Sequence, residues 1–465
     1  MTDSPALMSA TELLRRYRDG SLSPVEATKA ALDRIERFNP RLNIFNLVDA
    51  EGALKAAKES EERWRLDLPR GRLDGVPVSI KDILLTKGWP TLRGSKAVDP
   101  KQDWDQDAPS VARLKEHGAI LLGKTTTPEF GWKGVTDSPL TGITRNPWNP
   151  ERTPGGSSGG SAAALAAGMG ALAIGTDGGG SIRIPAGFTG VVGHKPSFGR
   201  VPAWPLSPFG TLAHVGPMAR SVADAALMLT VMAEPDTRDW YALPDDRTDY
   251  GRSFDDDLSG LKIAFSPNLG GHPVDPEIAR LVAAAVKRFA ELGAEVEEQE
   301  PDLQASAQVF RVLWFAGAAN LLRGFTRDQQ ALMDPGLLEV AAEGAGYPLS
   351  EYLDAVKQRE AIGGAMNRFH ETYDLLLTPS LPIPAFAAGL ERPPGSPTAR
   401  WVDWTPFSYP FNLTQQPAIS VPCGLTGEGL PAGLQIVGPR YADALVLRAA
   451  HAYEACAPFA MPQLE

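Results

Sequence analysis

The chain is poor in cysteine and has no dense cluster of positive charge. Only two cysteines occur among 465 residues, Cys423 and Cys456, which is too few for a disulfide framework. They also lack the grouped spacing of a structural zinc site, so we expect no metal. Lysine and arginine number 45 against 56 aspartates and glutamates, giving a formal net charge of -11. Phosphate groups would be repelled, and we expect no nucleic-acid partner.

Long uninterrupted apolar stretches are also missing. No segment reaches the roughly 18 uncharged apolar residues of a membrane-spanning helix without heavy glycine content. The first residues, MTDSPALMSATELL, carry an early Asp3 and no basic stretch before an apolar run, unlike a secretory signal. We therefore expect no membrane partner and a cytoplasmic location. The sequence gives no indication of the oligomeric state.

The composition is that of a globular protein with a large core, because 43% of the residues are hydrophobic and 22% are charged. From residue 76 onward, short apolar runs alternate with amphipathic helical patterns, as in an α/β sheet buried on both faces. The short runs are residues 76–80, 119–122, 172–174, 261–265, 375–377, 419–421 and 434–437. We predict an α/β fold: a single large domain over residues 1–465 with a mixed, mostly buried β-sheet covered by helices on both faces.

The N-terminal part of the chain has the pattern of helices. Ser9 and Glu12 have the spacing of a capping box at a helix start. Ser23 and Glu26 repeat that spacing before an amphipathic stretch. Residues 1–65 are therefore predicted to form an N-terminal helical segment packed on the main body.

Two glycine- and serine-rich loops, residues 155–161 and 175–183, flank one apolar segment. That segment is apolar all round, which predicts a buried helix and not the centre of a flexible linker. The first loop lacks the Gly-Lys-Ser/Thr ending of a phosphate-binding loop, which disfavours nucleotide binding. We therefore expect both loops to belong to one anchored site.

Three consecutive glycines precede Ser181 in the second loop. Without Cβ atoms, Gly178, Gly179 and Gly180 can direct several backbone N–H groups at one point, together with the N–H of Ser181. Such donors can stabilise the oxyanion that forms when a hydroxyl attacks a carbonyl. The loop therefore predicts an oxyanion hole beside a serine nucleophile.

A serine nucleophile needs a base, and histidine is the usual one. None of the six histidines stands in a recognisable partner motif. Lys81, in contrast, ends an apolar strand within residues 75–82, where its stem would be buried. Desolvation lowers the pKa of a lysine, so a neutral amine that accepts a proton is reasonable there. Taken alone, a strand-end lysine is also compatible with a salt bridge or a surface position.

The two loops resemble the motif of the amidase signature family, a Gly-Gly-Ser-Ser-Gly-Gly loop followed by a Thr-Asp-x-Gly-Gly-Ser-Ile-Arg loop. They stand here at residues 155–160 and 176–183. Sequence similarity to the family covers most of the chain, and it is weakest between residues 236 and 379. The other matching stretches are residues 75–82, 144–150, 152–156, 193–197, 411–414 and 416–422. The resemblance implies the amidase signature fold and an amidohydrolase that cleaves the C–N bond of carboxylic amides.

The resemblance also implies roles for the reactive residues. The nucleophile falls on Ser181, the relay serine on Ser157 and the base on Lys81. An acyl-enzyme would form on Ser181, and the relay would protonate the leaving amine. In relatives the relay serine follows a cis peptide bond, which falls on Gly156–Ser157 here. Such a mechanism needs no cofactor and no metal.

Three neighbours of these residues are expected to supply supporting hydrogen bonds, namely Ser158, Asp177 and Arg183. Ordinary structural contacts within the loops are the alternative for each of them. At Gly178, relatives often carry threonine or another residue with a side chain. This chain is therefore expected to have additional backbone freedom beside the oxyanion hole.

The substrate is less constrained, because pocket walls in this family come from variable loops. An aromatic-rich set in or near loops that flank the motif segments would favour an apolar or aryl amide, ester or carbamate. Its members are Phe130, Trp132, Trp204, Phe209, Trp314, Phe315, Trp401 and Trp404. We predict that Phe130, Trp132 and Trp204 bind substrate and that residues 236–400 form the variable, pocket-forming part. Core packing is the alternative for many of these aromatics.

Two further functions stay open beside hydrolysis of a small-molecule amide, ester or carbamate. The first is the amidase subunit of a tRNA-dependent glutamine amidotransferase, in which a partner protein would supply the tRNA surface. The second is an inactive binding or scaffold protein that keeps the fold. The complete set of Lys81, Ser157 and Ser181 argues against the inactive form.

Overall fold

The computed structural model describes residues 4–252, 254–397 and 399–464. The strands are β1 (Phe45–Val48), β2 (Pro77–Lys81), β3 (Ile120–Thr125), β4 (Asp137–Ser138), β5 (Gly142–Ile143), β6 (Leu172–Asp177), β7 (Val192–Lys195), β8 (His214–Ala219), β9 (Lys262–Phe265), β10 (Glu295–Glu298), β11 (Leu375–Pro379), β12 (Ala418–Leu425) and β13 (Pro431–Val437). The α-helices are α1 (Ala10–Asp19), α2 (Pro24–Leu42), α3 (Ala50–Arg65), α4 (Pro109–Glu116), α5 (Gly159–Ala166), α6 (Arg183–Thr189), α7 (Val222–Met232), α8 (Pro276–Glu291), α9 (Ser306–Leu322), α10 (Arg327–Gln330), α11 (Pro335–Ala345), α12 (Leu349–Phe369), α13 (Pro410–Leu413) and α14 (Asp443–Cys456). Among these residues, none of the helices combines the length and the apolar character needed to cross a membrane.

Most of the strands form one mixed sheet of 11 strands, in the order β1-β3-β2-β6-β8-β7-β12-β13-β11-β9-β10. β2 is parallel to both of its neighbours, β3 and β6, whereas β8 is antiparallel to β6. Near the other edge, β9 is parallel to both β10 and β11. The remaining strands, β4 and β5, pair only with each other.

Side chains of one strand alternate between two cores on opposite faces of the sheet. Leu375 and Leu377 of β11 belong to a buried cluster that includes residues of α7, α8 and α14. Leu376, between them, belongs to a second cluster with residues of α9, α11 and α12. Because successive strand residues point to opposite faces, helices cover the sheet on both sides. The predicted α/β fold with a mixed, covered sheet is confirmed.

The parallel pair β2 and β6 positions the two glycine- and serine-rich loops. β2 ends at Lys81 and β6 ends at Asp177, with Ile80 opposite Ile174 in the register. Parallel neighbours have their carboxyl ends at the same edge of a sheet, so Lys81 lies beside the loop that follows β6. α5, between the two loops, is buried at every residue, as its apolar sequence predicts.

Each predicted strand segment overlaps a strand, but four strands of the large sheet, β1, β7, β8 and β10, and the short pair β4 and β5 lie outside the predicted segments. β8 contains Gly216 and Pro217, residue types that are depleted in strands. β10 is a mostly exposed edge strand of sequence Glu-Val-Glu-Glu, so it lacks an apolar signal. β1 corrects the N-terminal prediction: residues 1–65 are not all helical, because Phe45–Val48 pair with β3 at the edge of the sheet.

The two predicted capping boxes differ in the structure. At α2, the Ser23 hydroxyl accepts from the Glu26 N–H and the Glu26 carboxylate accepts from the Ser23 N–H, which completes the box. At α1, the Ser9 hydroxyl accepts from the Glu12 N–H. The Glu12 carboxylate binds the guanidinium of Arg16, so the capping box at α1 is only half formed.

The helix α5 packs closely at Gly160 against Thr126, the residue that follows β3. A Cβ atom at Gly160 would lie 2.6 Å from the backbone nitrogen and oxygen of Thr126. Backbone atoms cannot move aside easily, so Gly160→Ala is expected to lower the free energy of unfolding by about 1–3 kcal/mol. Urea denaturation followed by circular dichroism measures this change.

Gly363 in α12 is the matched control, because a Cβ atom there would meet no atom within 4 Å. Alanine has the higher helix propensity, so Gly363→Ala is expected to raise the free energy of unfolding by up to about 1 kcal/mol. A Gly160→Ala protein that is as stable as the wild type would contradict the close packing of α5.

Candidate active site

Lys81 is completely buried, and its amine is surrounded by hydroxyl groups. Its Nζ lies 2.7 Å from Ser157 Oγ and 2.8 Å from Ser158 Oγ. A third hydroxyl oxygen, also at 2.8 Å, is Thr176 Oγ1. Burial lowers the pKa of Lys81 well below its ordinary value of 10.5, and the negative charge of Asp177 opposes this shift only in part. Burial therefore favours the uncharged amine more than it would be favoured in an exposed lysine.

Hydrogen-bond counting indicates which hydroxyl can donate to Lys81. An uncharged amine has two N–H donors and one lone pair that accepts. The Ser158 hydroxyl donates to the Thr176 carbonyl oxygen at 3.1 Å, so it can only accept from the amine. The lone pair is left for the hydroxyl of Ser157 or that of Thr176. Sequence reasoning missed the Thr176 contact, although this residue stands in the second motif loop.

Ser157 follows a cis peptide bond, Gly156–Ser157, at the position that the family resemblance implies. Its side chain is nearly buried, and the Gly131 backbone lies against it: a Cβ atom at Gly131 would be 3.1 Å from Ser157 Oγ. Gly156 lies even closer to Val135, where a Cβ atom would come within 2.6 Å of backbone atoms. Glycine at both positions therefore permits the close approach of these backbones.

The backbone on either side of Ser181 is fixed by hydrogen bonds. The Ser158 N–H donates to the Ser181 carbonyl oxygen at 3.1 Å, which joins the two loops. The Gly180 N–H donates to Asp177 Oδ1 at 2.7 Å. The Ile182 N–H donates to Asp177 Oδ2 at 3.1 Å. The structure thus removes Gly180 from the predicted set of oxyanion donors, because its N–H is already engaged.

The N–H groups of Gly178, Gly179 and Ser181 remain free to bind a ligand, since they donate to no acceptor within the described ranges. The Ser181 hydroxyl likewise has no hydrogen-bond partner among the described residues, and in particular none at Ser157. Ser157 and Ser181 nevertheless line the same cavity, which has a volume of about 210 Å³. The expected serine pair is therefore brought together at one cavity without a direct hydrogen bond.

A buried ion pair holds the loop around Ser181. Arg183 Nε donates to Asp177 Oδ2, and one terminal nitrogen of Arg183 donates to Oδ1, both at 3.0 Å. Other donors of this guanidinium bind the Ser408 carbonyl oxygen and the amide oxygens of Gln435 and Asn412. Burial raises the pKa of Asp177, but the charge and hydrogen bonds of Arg183 outweigh it and hold the pKa below its ordinary 3.8. Asp177 is therefore an ionised residue that positions the loop.

Only two of the three aromatic residues predicted to bind substrate line the cavity. Phe130 and Trp204 line the cavity. Trp132 does not: its side chain is fully buried in the core. The prediction that Trp132 binds substrate is therefore wrong. Nothing in its local sequence separates it from Trp204, because the difference arises from packing between distant segments.

Trp314 lines the cavity and occupies the space beside Gly178. A Cβ atom at Gly178 would lie 2.8 Å from Trp314 Cζ3. The Trp314 ring stacks on Phe209, with centroids 3.6 Å apart and planes 3° from parallel, and Phe209 also lines the cavity. The lack of a side chain at Gly178 therefore makes room for an indole ring.

The rest of the cavity wall comes largely from residues 201–210. Residues 236–400, predicted as the pocket-forming part, contribute a smaller share. Their lining residues are Asp239, Tyr241, Trp314 and Leu321. The remaining aromatics of the predicted set, Phe315, Trp401 and Trp404, are buried and do not line the cavity.

His214 also lines the cavity, but it is held by the backbone. Its Nδ1 lies 2.8 Å from the Leu212 carbonyl oxygen, which fixes the proton on Nδ1. Burial lowers the pKa of His214 well below 6.5, so the ring is neutral. In residues 4–252, 254–397 and 399–464, no group of three or more histidine, cysteine, aspartate or glutamate side chains could hold a metal ion.

The Amidase family profile matches residues 26–447. The chain belongs to this family. It is 38% identical to the acylamidase of Rhodococcus erythropolis over 466 residues, which cover 97% of this chain and 96% of that protein. It is 36% identical to a glutamyl-tRNA(Gln) amidotransferase subunit of Myxococcus xanthus, with 96% of each protein covered.

Solved structures agree with this membership. The crystal structure of a bacterial aryl acylamidase of the amidase signature family superposes with a TM-score of 0.90 at 32% identity, covering 97% of this chain and 96% of that one. The resemblance of the two loops to the amidase signature is confirmed. This member of the amidase family is a hydrolase that acts on amide C–N bonds.

Removing Arg183 tests the buried ion pair. Arg183→Met would leave the Asp177 carboxylate buried without its cation, since neither side chain is exposed. We expect the free energy of unfolding to fall by about 3–5 kcal/mol, as measured by urea denaturation.

Arg15→Met is the matched control for this measurement. Arg15 pairs with Glu12 at the surface, where 61% of the arginine side chain is exposed. Its loss is expected to leave the free energy of unfolding nearly unchanged, because water and salt screen an exposed ion pair. If both substitutions had the same small effect, the Asp177–Arg183 pair would not hold the loop.

Proposed function

We propose that this amidase hydrolyses carboxylic amides through an acyl-enzyme on Ser181, with Lys81 as the base and Ser157 as the proton relay. The observation that carries the proposal is the 2.7 Å contact between the buried Lys81 amine and the Ser157 hydroxyl. An uncharged amine can accept a proton from a hydroxyl, whereas a protonated lysine cannot. The proposed reaction uses no cofactor and no metal.

In the first half of the reaction, Ser181 Oγ attacks the carbonyl carbon of the amide. The Ser181 proton passes to Ser157 Oγ, and the Ser157 proton passes to Lys81 Nζ. The two serine hydroxyls are expected to come into contact when substrate binds, as catalytic hydrogen bonds of free enzymes often tighten at that stage. The N–H groups of Gly178, Gly179 and Ser181 are the proposed donors to the oxyanion.

The C–N bond then breaks as the leaving nitrogen receives a proton from Ser157, which regains one from Lys81. The acyl group remains as an ester on Ser181. Water attacks this ester and loses a proton through Ser157 to Lys81. Collapse of the second tetrahedral intermediate returns that proton to Ser181 and releases the carboxylic acid. Each proton that Lys81 accepts is thus given back within the same half reaction.

Apolar and aryl amides are the proposed substrates, with aryl esters and carbamates as further candidates. The stacked rings of Phe209 and Trp314 give the cavity a flat apolar wall beside Gly178. Phe130 and Trp204 add aromatic surface to the lining. The relatives named acylamidase and aryl acylamidase are consistent with this preference.

A second candidate function is the amidase component of a glutamyl-tRNA(Gln) amidotransferase, which is supported by the 36% identity to the protein from Myxococcus xanthus. That function requires the release of ammonia from glutamine and a second protein component. Efficient glutaminase activity without activity on aryl amides, or co-purification with a partner protein, would favour it over the acylamidase proposal.

A hydrolysis screen over acetanilides, aliphatic amides, amino-acid amides, glutamine, aryl esters and aryl carbamates tests the proposal. We expect turnover of the apolar aryl compounds, and we expect Ser181→Ala to abolish both turnover and labelling by a fluorophosphonate. Ser110→Ala is the control, because Ser110 also lines the cavity and its hydroxyl has no partner in the described part of the chain. Folded wild-type protein that neither turns over nor reacts would indicate an inactive scaffold.

Lys81→Met removes the amine but nearly preserves the volume of the buried stem. We expect kcat/KM for acetanilide to fall by about 10²–10⁴-fold. The loss for phenyl acetate should be smaller, because a phenolate can leave without a proton whereas an amide nitrogen cannot. Parallel assays of the two substrates measure the difference. Equal losses would mean that Lys81 does not supply the proton of the leaving group.

The pH dependence of the reaction is expected to follow the unprotonated fraction of Lys81. Since the neutral amine is the base, kcat/KM for a neutral anilide rises as pH increases through the pKa of Lys81. Burial lowers this pKa well below 10.5, so the rise should be complete before the ordinary lysine range. Lys81→Arg is the control, and it should be inactive throughout because a guanidinium stays charged. A rise centred near 10.5 would contradict a buried neutral base.

A further inference from the structure

Arg93 brings a positive charge to the wall of the catalytic cavity, which it lines together with Phe130 and Ser157. The side chain is partly buried, which lowers its pKa, although an arginine remains protonated. Its guanidinium makes no hydrogen bond and no ion pair with any residue that the structure describes. The guanidinium is therefore available to a ligand in the cavity, and the proposed mechanism does not use it.

The negative charge of Asp82 acts on Arg93 and opposes the lowering of the arginine pKa by burial. The Asp82 carboxylate is already occupied, because it accepts from Asn46 Nδ2 at 2.8 Å and from the Leu92 N–H at 3.2 Å. No ion pair joins Asp82 to Arg93 within the described chain. The negative charge of Asp82 therefore favours the positive charge of Arg93, but Asp82 accepts no hydrogen bond from the Arg93 guanidinium.

Asp239, the other lining residue that carries a charge, does not neutralise Arg93 either. One of its oxygens accepts from the Ala203 N–H and the other accepts from the Tyr241 N–H, each at 2.8 Å. The cavity thus offers one guanidinium with free donors among mostly apolar and backbone groups.

The backbone of Arg93 is held in an uncommon conformation. Its φ angle is 56°, in the left-handed region that residues with a Cβ atom rarely adopt. The Phe130 N–H donates to the Arg93 carbonyl oxygen at 2.8 Å, and a Cβ atom at the adjoining Gly94 would lie 2.5 Å from the Thr127 carbonyl oxygen. A residue fixed in this way at the wall of the cavity that holds Ser157 and Ser181 points to a role in ligand binding.

The backbone of Arg93 lies near Ser157, which the proposed mechanism assigns to the leaving-group side. In the proposed mechanism Ser157 protonates the leaving nitrogen, so the amine part of the substrate lies next to Ser157. Gly131 lies against the Ser157 hydroxyl, and the neighbouring Phe130 binds the backbone of Arg93. Trp314, in contrast, lies beside Gly178 and the proposed oxyanion donors.

Building on the amide hydrolysis proposed above, we propose that Arg93 binds a carboxylate carried by the amine part of the substrate. The substrate class is then an acylated amino acid or an acylated aminobenzoate with an apolar acyl group. A guanidinium and a carboxylate match in shape and form two parallel hydrogen bonds, which are stronger where water is partly excluded. The free donors of Arg93 would be satisfied by the substrate.

Matched substrates test this proposal. The 3- and 4-isomers of acetamidobenzoate carry the charge, and the corresponding acetamidoacetophenones are neutral compounds of nearly the same shape. In Arg93→Met we expect kcat/KM for the better benzoate isomer to fall by about 10- to 100-fold, the effect of losing a hydrogen bond to a charged group. The value for the matching ketone should stay within about threefold of wild type.

Two further variants serve as controls. Arg93→Lys keeps the charge but loses the planar pair of donors, so an intermediate kcat/KM for the benzoate is expected. Arg238→Met removes a cation that lies over the Trp204 ring and pairs with Asp236, and it should leave the preference for charge unchanged. An equal loss in Arg238→Met would indicate a general field effect and would overturn the role of Arg93.

Binding provides a readout that is independent of turnover. In Ser181→Ala, calorimetry with the aminobenzoate product should detect binding that is lost when Arg93→Met is added. Equal losses of kcat/KM on benzoate and ketone, or an unchanged preference in Arg93→Met, would overturn the inference while leaving the proposed amidase intact. Arg93-dependent binding of aminobenzoate without hydrolysis of any anilide would support the binding site and contradict the proposed function.

Discussion

An amine kept out of water is the constraint on which the rest of this site depends. The hydroxyls of Ser157, Ser158 and Thr176 replace the water that Lys81 loses on burial, and they come from both glycine- and serine-rich loops. Because both loops must approach the buried Lys81 Nζ, there is little room for additional side chains around them. Glycines at positions 131 and 156, where a side chain would strike neighbouring atoms, follow from that requirement.

The charged groups near this amine are paired with one another and not with Lys81. Asp177 adjoins Thr176 in the chain, yet Arg183 and two backbone N–H groups bind its carboxylate. A carboxylate free to pair with Lys81 would favour the protonated amine, which cannot serve as the proposed base. The Asp177–Arg183 pair therefore shapes the loop around Ser181 while it limits the effect of a nearby negative charge on the lysine.

Local chemistry made the central part of the site predictable, because the hydroxyls and glycines stand in two short motifs and Lys81 ends an apolar strand. Contacts between distant segments could not be predicted from local sequence. Trp132 and Trp204 were both predicted to bind substrate, but only Trp204 lines the cavity. The engaged N–H of Gly180 could have been anticipated, since an aspartate three residues earlier often binds such a group. β8 was not predicted because a glycine and a proline interrupt its apolar pattern.

The contact between Gly178 and Trp314 ties the shape of the cavity to two positions far apart in the chain. A relative with a bulkier residue at the first position has to accept a smaller one at the second, and the reverse also holds. Paired exchanges of volume of this kind can reshape the cavity while Ser157, Ser181 and Lys81 stay where they are. The shape of the cavity in this fold can therefore diverge without any change in the residues around Lys81.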